Sequence, residues 1–279
     1  MSIGQYADCK ISQNQWDLDQ VLPRDYQVPD SYLRTAPPGV LENFCRLLGR
    51  DVFSEADAGV LYDYLMVRRS EFSSEFLGML ALWLNDETKH YEALRRVYHG
   101  LSGVSYGAMD RQFHDRVHEI EPIVMVLQDE FTILVTMMFD EMGSVYSYRR
   151  DLREYYGYFG PVLQKVGQHL IQDEGMHFNN AAELLLHGHR DRLGEVEPLL
   201  GRIAALEDRL GKYYKTFFLD HAQEQFRFPP QFNGVIIRVV LARLGLGARP
   251  EPRELKALWQ WVPEGCRLVP IGGRGKRSS

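Results

Sequence analysis

The sequence predicts an all-α fold, and three observations predict it. From Gly39 onward, apolar residues recur at helical spacing through most of the chain. No stretch alternates apolar and polar residues over strand length; Val235 to Val240 is apolar throughout but lies between helical segments and reads as helix. The interruptions fall at helix punctuation, Ser70–Ser74 and Gly157–Pro161 being the clearest.

The elements follow in order. Residues 1–37 contain Pro23, Pro29 and Pro37 and few periodic apolar positions, so they are expected to form an irregular arm lying on the body. A short helix is expected over 39–48. A second starts near Ser54, a good N-cap residue, and runs to about Arg69. After the break at 70–74 a third helix reaches about Gly100, and Leu101–Gly107 is a loop. A helical run spans 110–155, interrupted near Pro122. Pro161 suits the first turn of the next helix, which ends near His187. Further helices are expected at 192–222, 231–244 and 251–260, before a basic flexible tail at 266–279. The whole reads as one domain: the arm, a four-helix core over 50–190, and C-terminal helices over 191–265.

Composition narrows the class. A chain of 279 residues with 45% hydrophobic and 25% charged residues can bury a large core. A net charge of −6 argues against a general nucleic-acid binder, which needs a basic surface. Cys9, Cys45 and Cys266 are odd in number and far apart, so neither a disulfide framework nor a thiolate cluster is expected. Met1 to Lys10 has no signal-peptide core and no stretch approaches the ~20 apolar residues of a membrane span. A cytoplasmic protein without a membrane segment is expected.

The chemistry is carried by two Glu-x-x-His tetrads, Glu87-Thr88-Lys89-His90 and Glu174-Gly175-Met176-His177. Residues three apart share a helical face, so each pair can reach one metal ion. Either pair alone is weak evidence, because 20 Glu and 9 His in 279 residues already make roughly 0.6 such pairs expected by chance. Context decides. A two-metal bundle site needs one more Glu from the helix before each pair. In a helical hairpin, residues at one height lie equally far from the turn. Glu55 lies 15 residues before Ser70 and Glu87 lies 13 after Ser74; Glu141 lies 16 before Gly157 and Glu174 lies 14 after Gly160. The separations Glu55–Glu87 and Glu141–Glu174 are 32 and 33, and the two halves repeat with an offset of 86 or 87.

Large apolar residues flank these positions: Leu80, Trp83 and Leu84 before Glu87, Met137 and Met138 before Glu141, Leu170 and Ile171 before Glu174. Four carboxylates in such surroundings are costly without a compensating cation. Carboxylate oxygens with two imidazoles suit iron or manganese, and four carboxylates with two neutral histidines balance two divalent ions. Leu80, Trp83, Met137 and Met138 are candidates to line an apolar pocket that excludes water. Asp86, Asp140 and Asp173 precede three of the ligands, and Asp173 and then Asp86 are the first choices to orient a histidine.

Other features are weighed against this. His114 and His118 resemble half a zinc site but lack its Glu, and are expected on a surface helix. His187 and His189 are expected at a helix C-terminus, and His169, five residues before Glu174, is expected to face elsewhere.

At these motifs the chain resembles the soluble acyl-[acyl carrier protein] desaturases of the ferritin-like superfamily. Asp51-Val52-Phe53-Ser54-Glu55, Trp83 to His90 continuing to Gly103, Phe139-Asp140-Glu141 with Ser144, and Gln172 to His177 are similar to its four ligand segments. The resemblance is close over about 50–185. It implies a ferritin-like four-helix bundle holding two Fe ions, with Mn/Fe an alternative. It implies metal ligands Glu55, Glu87, His90, Glu141, Glu174 and His177, and O₂ as co-substrate. Ser144 takes the place of a family Thr near the oxygen site, where a hydroxyl assists proton delivery. An acyl carrier protein, a ferredoxin-type electron donor and a homodimer are the implied partners. Arg68, Arg69, Lys212 and Lys215 are the basic residues considered for docking an acidic carrier. Related di-iron bundles hydroxylate or N-oxygenate, so an oxygenase acting on a free small molecule stays open, as does a ferritin-like iron-binding protein.

Overall fold

A computed structural model of the chain describes residues 9–210, 219 and 228–260. Among them are ten α-helices and no strand: α1 (Leu18–Val21), α2 (Asp30–Thr35), α3 (Val40–Met66), α4 (Ser74–Ser102), α5 (Tyr106–His114), α6 (Glu130–Glu154), α7 (Pro161–Gly188), α8 (Val196–Leu210), α9 (Phe232–Arg243) and α10 (Pro252–Gln260). The all-α expectation holds for the described residues. No helix among them is long and apolar enough to cross a membrane.

Four long helices form two hairpins, α3 with α4 and α6 with α7, and α4 packs against α7. Their ends are set by local chemistry. Ser73 caps α4, its Oγ accepting the Phe76 N–H at 3.1 Å. Glu130 Oε2 accepts the Ser73 N–H at 2.8 Å, tying the start of α4 to that of α6. Asp129 caps α6 through the Thr132 N–H at 2.8 Å. Gly103, at φ +73°, closes α4 in the left-handed conformation.

Several expected boundaries are corrected. Residues 39–48 and 54–69 are not two helices: α3 runs unbroken for 27 residues. Ser54 has the right chemistry for a cap, but buried Val52 and Phe53 continue the apolar stripe from Phe44, Leu47 and Leu48 to Leu61 and Leu65. Burial of that face outweighs the cap signal. Conversely, the interruption near Pro122 is wider than expected. α5 stops at His114, a 3₁₀ turn spans Glu121–Val126, and α6 begins only at Glu130. The arm is not wholly irregular, since it contains α1 and α2. α8 covers 196–210 of the expected 192–222, with a 3₁₀ turn at Arg190–Glu195 before it; residues 211–218 lie outside the described residues, as do Lys212, Lys215, Cys266 and the tail.

The hydrophobic core is divided. One cluster contains Ala58, Leu61, Leu80, Trp83, Phe178 and Ala181; the other contains Leu48, Val52, Ala93, Leu94, Val166 and Leu170. On α3 the boundary falls between Val52 and Ala58, on α4 between Trp83 and Ala93, on α7 between Leu170 and Phe178. A polar layer occupies those gaps.

Candidate metal centre

That layer is built from Glu55 on α3, Glu87 and His90 on α4, Glu141 on α6, and Glu174 and His177 on α7. The structure brings all six together. They form two groups of four, Glu55–Glu87–His90–Glu174 and Glu87–Glu141–Glu174–His177, with one ligand atom from each residue lying within 4.8 Å of the others in its group. Glu87 and Glu174 belong to both. Each divides its oxygens between the histidines. Glu87 Oε2 lies 3.3 Å from His90 Nδ1 and its Oε1 3.1 Å from His177 Nδ1. Glu174 Oε1 lies 3.4 Å from His90 Nδ1 and its Oε2 3.3 Å from His177 Nδ1. Glu55 and Glu141 each serve one group only, at 3.7 Å from His90 Nδ1 and 3.3 Å from His177 Nδ1.

The far side of each imidazole is held by an aspartate from the other hairpin. His90 Nε2 lies 3.1 Å from Asp173 Oδ2, and His177 Nε2 lies 3.3 Å from Asp86 Oδ2. A carboxylate only accepts, so each Nε2 carries a proton toward its aspartate and each Nδ1 faces the glutamates. Asp140, the third aspartate considered, accepts the Leu219 N–H at 2.8 Å instead.

Residues of the arm, which spacing did not single out, complete the shell. Trp16 Nε1 donates to Asp173 Oδ2 at 2.7 Å and Asn14 Nδ2 to Asp173 Oδ1 at 3.0 Å. Gln13 Nε2 and Lys89 Nζ each donate to Asp86 Oδ1 at 2.9 Å. The terminal glutamates are held too: the Tyr148 hydroxyl donates to Glu55 and Trp83 Nε1 donates to Glu141 Oε1 at 2.9 Å. Lys89 lies inside the Glu87–His90 tetrad and was visible there, but nothing in the sequence marks Gln13, Asn14, Trp16 or Tyr148.

The electrostatics are those of excess negative charge packed together. Burial and the neighbouring Glu55 carboxylate push Glu87 up to about 8. Burial and Glu174 push Glu141 up to about 8. Burial opposes ionisation of Glu55 as well, but the adjacent His90 and the Tyr148 hydroxyl hold it down at about 2. Burial favours neutral imidazoles, yet the facing carboxylates raise both His90 and His177 well above the usual range. Asp173 is depressed against burial by His90, Trp16 and Asn14, and Asp86 by His177 and Lys89.

This buried donor set could hold a metal ion. Glu87 Oε1 and His90 Nδ1 are buried and have no hydrogen-bond partner, although both face the centre of the cluster. A bound cation satisfies such atoms, and hard oxygens with imidazole nitrogens suit first-row divalent metals.

Ser144 stands three residues after Glu141 on α6 and is half-buried. Leu80, Trp83, Met137 and Met138 are all 1% exposed or less and share the first core cluster, which adjoins the polar layer. His114 and His118 do not share a helix, since α5 ends at His114; His118 Nε2 instead meets buried Asp57 at 2.8 Å, beside Arg116. His187 Nδ1 donates to the Glu183 carbonyl at 2.8 Å, satisfying the last turn of α7. His189 meets Glu130 at 3.2 Å rather than the helix end. His169 does face elsewhere, stacking on Trp16 with centroids 4.6 Å apart. Arg68 donates to the Leu127 and Gln128 carbonyls, so its guanidinium is engaged within the fold.

Set against models of known protein families, curated proteins and solved structures, the chain matches none.

Proposed function

We propose that this chain is an O₂-dependent di-iron oxidoreductase on a ferritin-like four-helix bundle, oxidising an acyl group carried on a carrier protein. The observation that carries the reading is the sharing of Glu87 and Glu174 between two four-residue groups, each completed by its own Glu and His. Glu55, Glu87, His90, Glu141, Glu174 and His177 would hold the two ions, with Glu87 and Glu174 common to both groups. Two ferrous ions bound there would supply electrons for the reduction of O₂. The chain's own part is to bind, orient and shield. Asp86 and Asp173 fix the imidazoles, Trp83 and Tyr148 fix the terminal carboxylates, and Leu80, Met137 and Met138 keep water out. Ser144 places a hydroxyl one turn from Glu141 for proton delivery. The acyl-carrier substrate, the ferredoxin-type donor and the homodimer rest on the resemblance of the four ligand segments to the desaturases.

The test begins with iron content. Protein purified with iron is expected to hold about two ions per chain. Full occupancy in Glu141→Ala/Glu174→Ala would sink the ligand assignment. O₂ uptake by the reduced protein is then followed with acyl carrier protein against free acids. Stimulation by the carrier-bound acyl group is the expected result; stimulation by free acids alone would move the reading to a small-molecule oxygenase.

A further inference from the structure

The arm does more than cover the body. Over four residues it reaches both aspartates that hold the two histidines. Gln13 bonds Asp86, the partner of His177; Asn14 and Trp16 bond the two oxygens of Asp173, the partner of His90. Neither aspartate is solvated, at 2% and 0% exposure, so water does not replace these donors while the arm is seated. The arm is itself anchored away from the centre. Ser12 and Asn180 exchange two hydrogen bonds, Ser12 N–H to Asn180 Oδ1 at 3.0 Å and Asn180 Nδ2 to the Ser12 carbonyl at 2.8 Å. Trp16 is gripped from two sides, stacked on His169 and lying under the Lys89 ammonium at 5.1 Å. Gln13, Asn14 and Trp16 thus meet partners 73, 159 and 157 residues away, and through them both hairpins.

We propose that the N-terminal arm is a detachable part of the metal centre, and that Gln13, Asn14 and Trp16 are positioning residues whose seating and metal binding are thermodynamically coupled. The inference rests on the two-metal reading. A cation on Nδ1 makes each Nε2–H a stronger donor and draws its aspartate into line, and an aligned aspartate is a better acceptor for the arm. Reciprocity then requires that whatever factor the metal adds to arm seating, the arm adds to metal affinity. Lifting the arm opens Asp86 and Asp173 to water and frees the imidazoles to turn.

Co²⁺ is the probe, through its visible absorption. The chain is loaded with Co²⁺, excess EDTA is added, and the decay of the colour gives the release rate. Trp16→Phe keeps an aromatic ring against His169 and removes the indole N–H together with part of the ring. Gln13→Ala/Asn14→Ala removes the two amides. Asn180→Ala touches neither aspartate and loosens only the anchor. All three are expected to release Co²⁺ several-fold faster than the wild type, less than the roughly 10- to 100-fold expected for losing the aspartate that partners a histidine. Hydrogen exchange over residues 10–17 is expected to slow on Co²⁺ binding in the wild type, and less so in Trp16→Phe. Wild-type release rates in Trp16→Phe and Gln13→Ala/Asn14→Ala, or exchange in the arm indifferent to Co²⁺, would overturn the proposal while leaving the two-metal reading intact. A wild type that takes up no Co²⁺, Fe²⁺ or Mn²⁺ overturns both.

Discussion

Asp173 on α7 holds the Nε2 of His90 on α4 at 3.1 Å, so the residue just before one shared glutamate orients the imidazole that follows the other. Asp86 and His177 repeat the relationship in the opposite sense at 3.3 Å. The two hairpins therefore cannot be separated without misdirecting both histidines. Asp173→Asn keeps the shape of the side chain and removes its charge. It is expected to weaken Fe²⁺ or Co²⁺ binding about 10- to 100-fold while the far-ultraviolet circular dichroism stays unchanged. Asp86→Asn is expected to fall in the same range. A metal titration reads both, and unchanged affinity in the pair would remove the orienting role.

The metal-stripped protein is expected to lose stability as pH rises through neutrality. Glu87 and Glu141 go from 4.5 in the unfolded chain up to about 8 in the folded one. The folded state therefore prefers their neutral acids. That contribution is fully present below the unfolded value and is lost as pH climbs through about 8. His90 and His177, raised above 6.5, act in the same direction: the stability they add is lost as pH rises through their folded values. Glu55, lowered to about 2, contributes only above 4.5 and loses its contribution in acid. Bound metal reverses the slope over neutral pH, because it must displace these protons. Thermal melts from about pH 5 to about pH 8 are expected to show the melting point falling by on the order of 5 °C or more without metal and rising with it. Glu87→Gln/Glu141→Gln is expected to flatten the metal-free slope, and an unchanged slope there would contradict the charge assignment.

The grouping of Glu55, Glu87, His90, Glu141, Glu174 and His177 was legible in the sequence because it obeys a geometric rule. Two hairpins that present side chains at one height must place them equally far from their turns, and 32 against 33 residues satisfies that without any knowledge of contacts. Asp86 and Asp173 were legible for the same reason, as neighbours of Glu87 and Glu174 in that cluster. The supporting donors were not. Trp16 meets Asp173 across 157 residues and Tyr148 meets Glu55 across 93, and no period links a coil residue to a helix. The unbroken α3 was missed because Ser54 matches a cap by residue type, whereas continuity was decided by burial of Val52 and Phe53, a tertiary effect. A Cβ at Gly49 would come 3.1 Å from the Tyr98 hydroxyl, so that glycine serves close packing of α3 on α4.

The two terminal glutamates are held by different donors, and this predicts unequal variants. Trp83 is 1% exposed and its indole N–H reaches Glu141 at 2.9 Å. Trp83→Phe removes the donor and part of the ring, leaving a carboxyl oxygen without its partner in the core. A loss of about 2–4 kcal/mol in unfolding free energy is expected from the buried group and the volume together. Tyr148→Phe deletes a single oxygen beside Glu55, which at 11% exposure is within reach of solvent. About 1 kcal/mol is expected. Urea unfolding of the metal-stripped protein compares them, and an equal cost would remove the distinction between the two positions.

Gly160 gives the sharpest steric prediction. It precedes α7 at φ +96°, where a side chain is strained in itself. An added Cβ would also lie 2.7 Å from Cε2 of Tyr32, the α2 residue packed against it. Gly160→Ala therefore incurs both a backbone term of about 1–2 kcal/mol and an overpacking term of about 1–3 kcal/mol. Gly103, at φ +73° and ψ 2°, lies in the ordinary left-handed region with nothing near its would-be Cβ, so Gly103→Ala incurs only the smaller backbone cost of that region. Chemical denaturation should rank Gly160→Ala below Gly103→Ala by about 1–3 kcal/mol. Tyr32→Ala in the Gly160→Ala background isolates the clash: relative to Tyr32→Ala alone, the added alanine should cost less than it does with Tyr32 present, by the overpacking term of about 1–3 kcal/mol. If Gly160→Ala costs as much with Tyr32 gone as with it present, the backbone conformation rather than the ring sets the requirement for glycine at the entrance to α7.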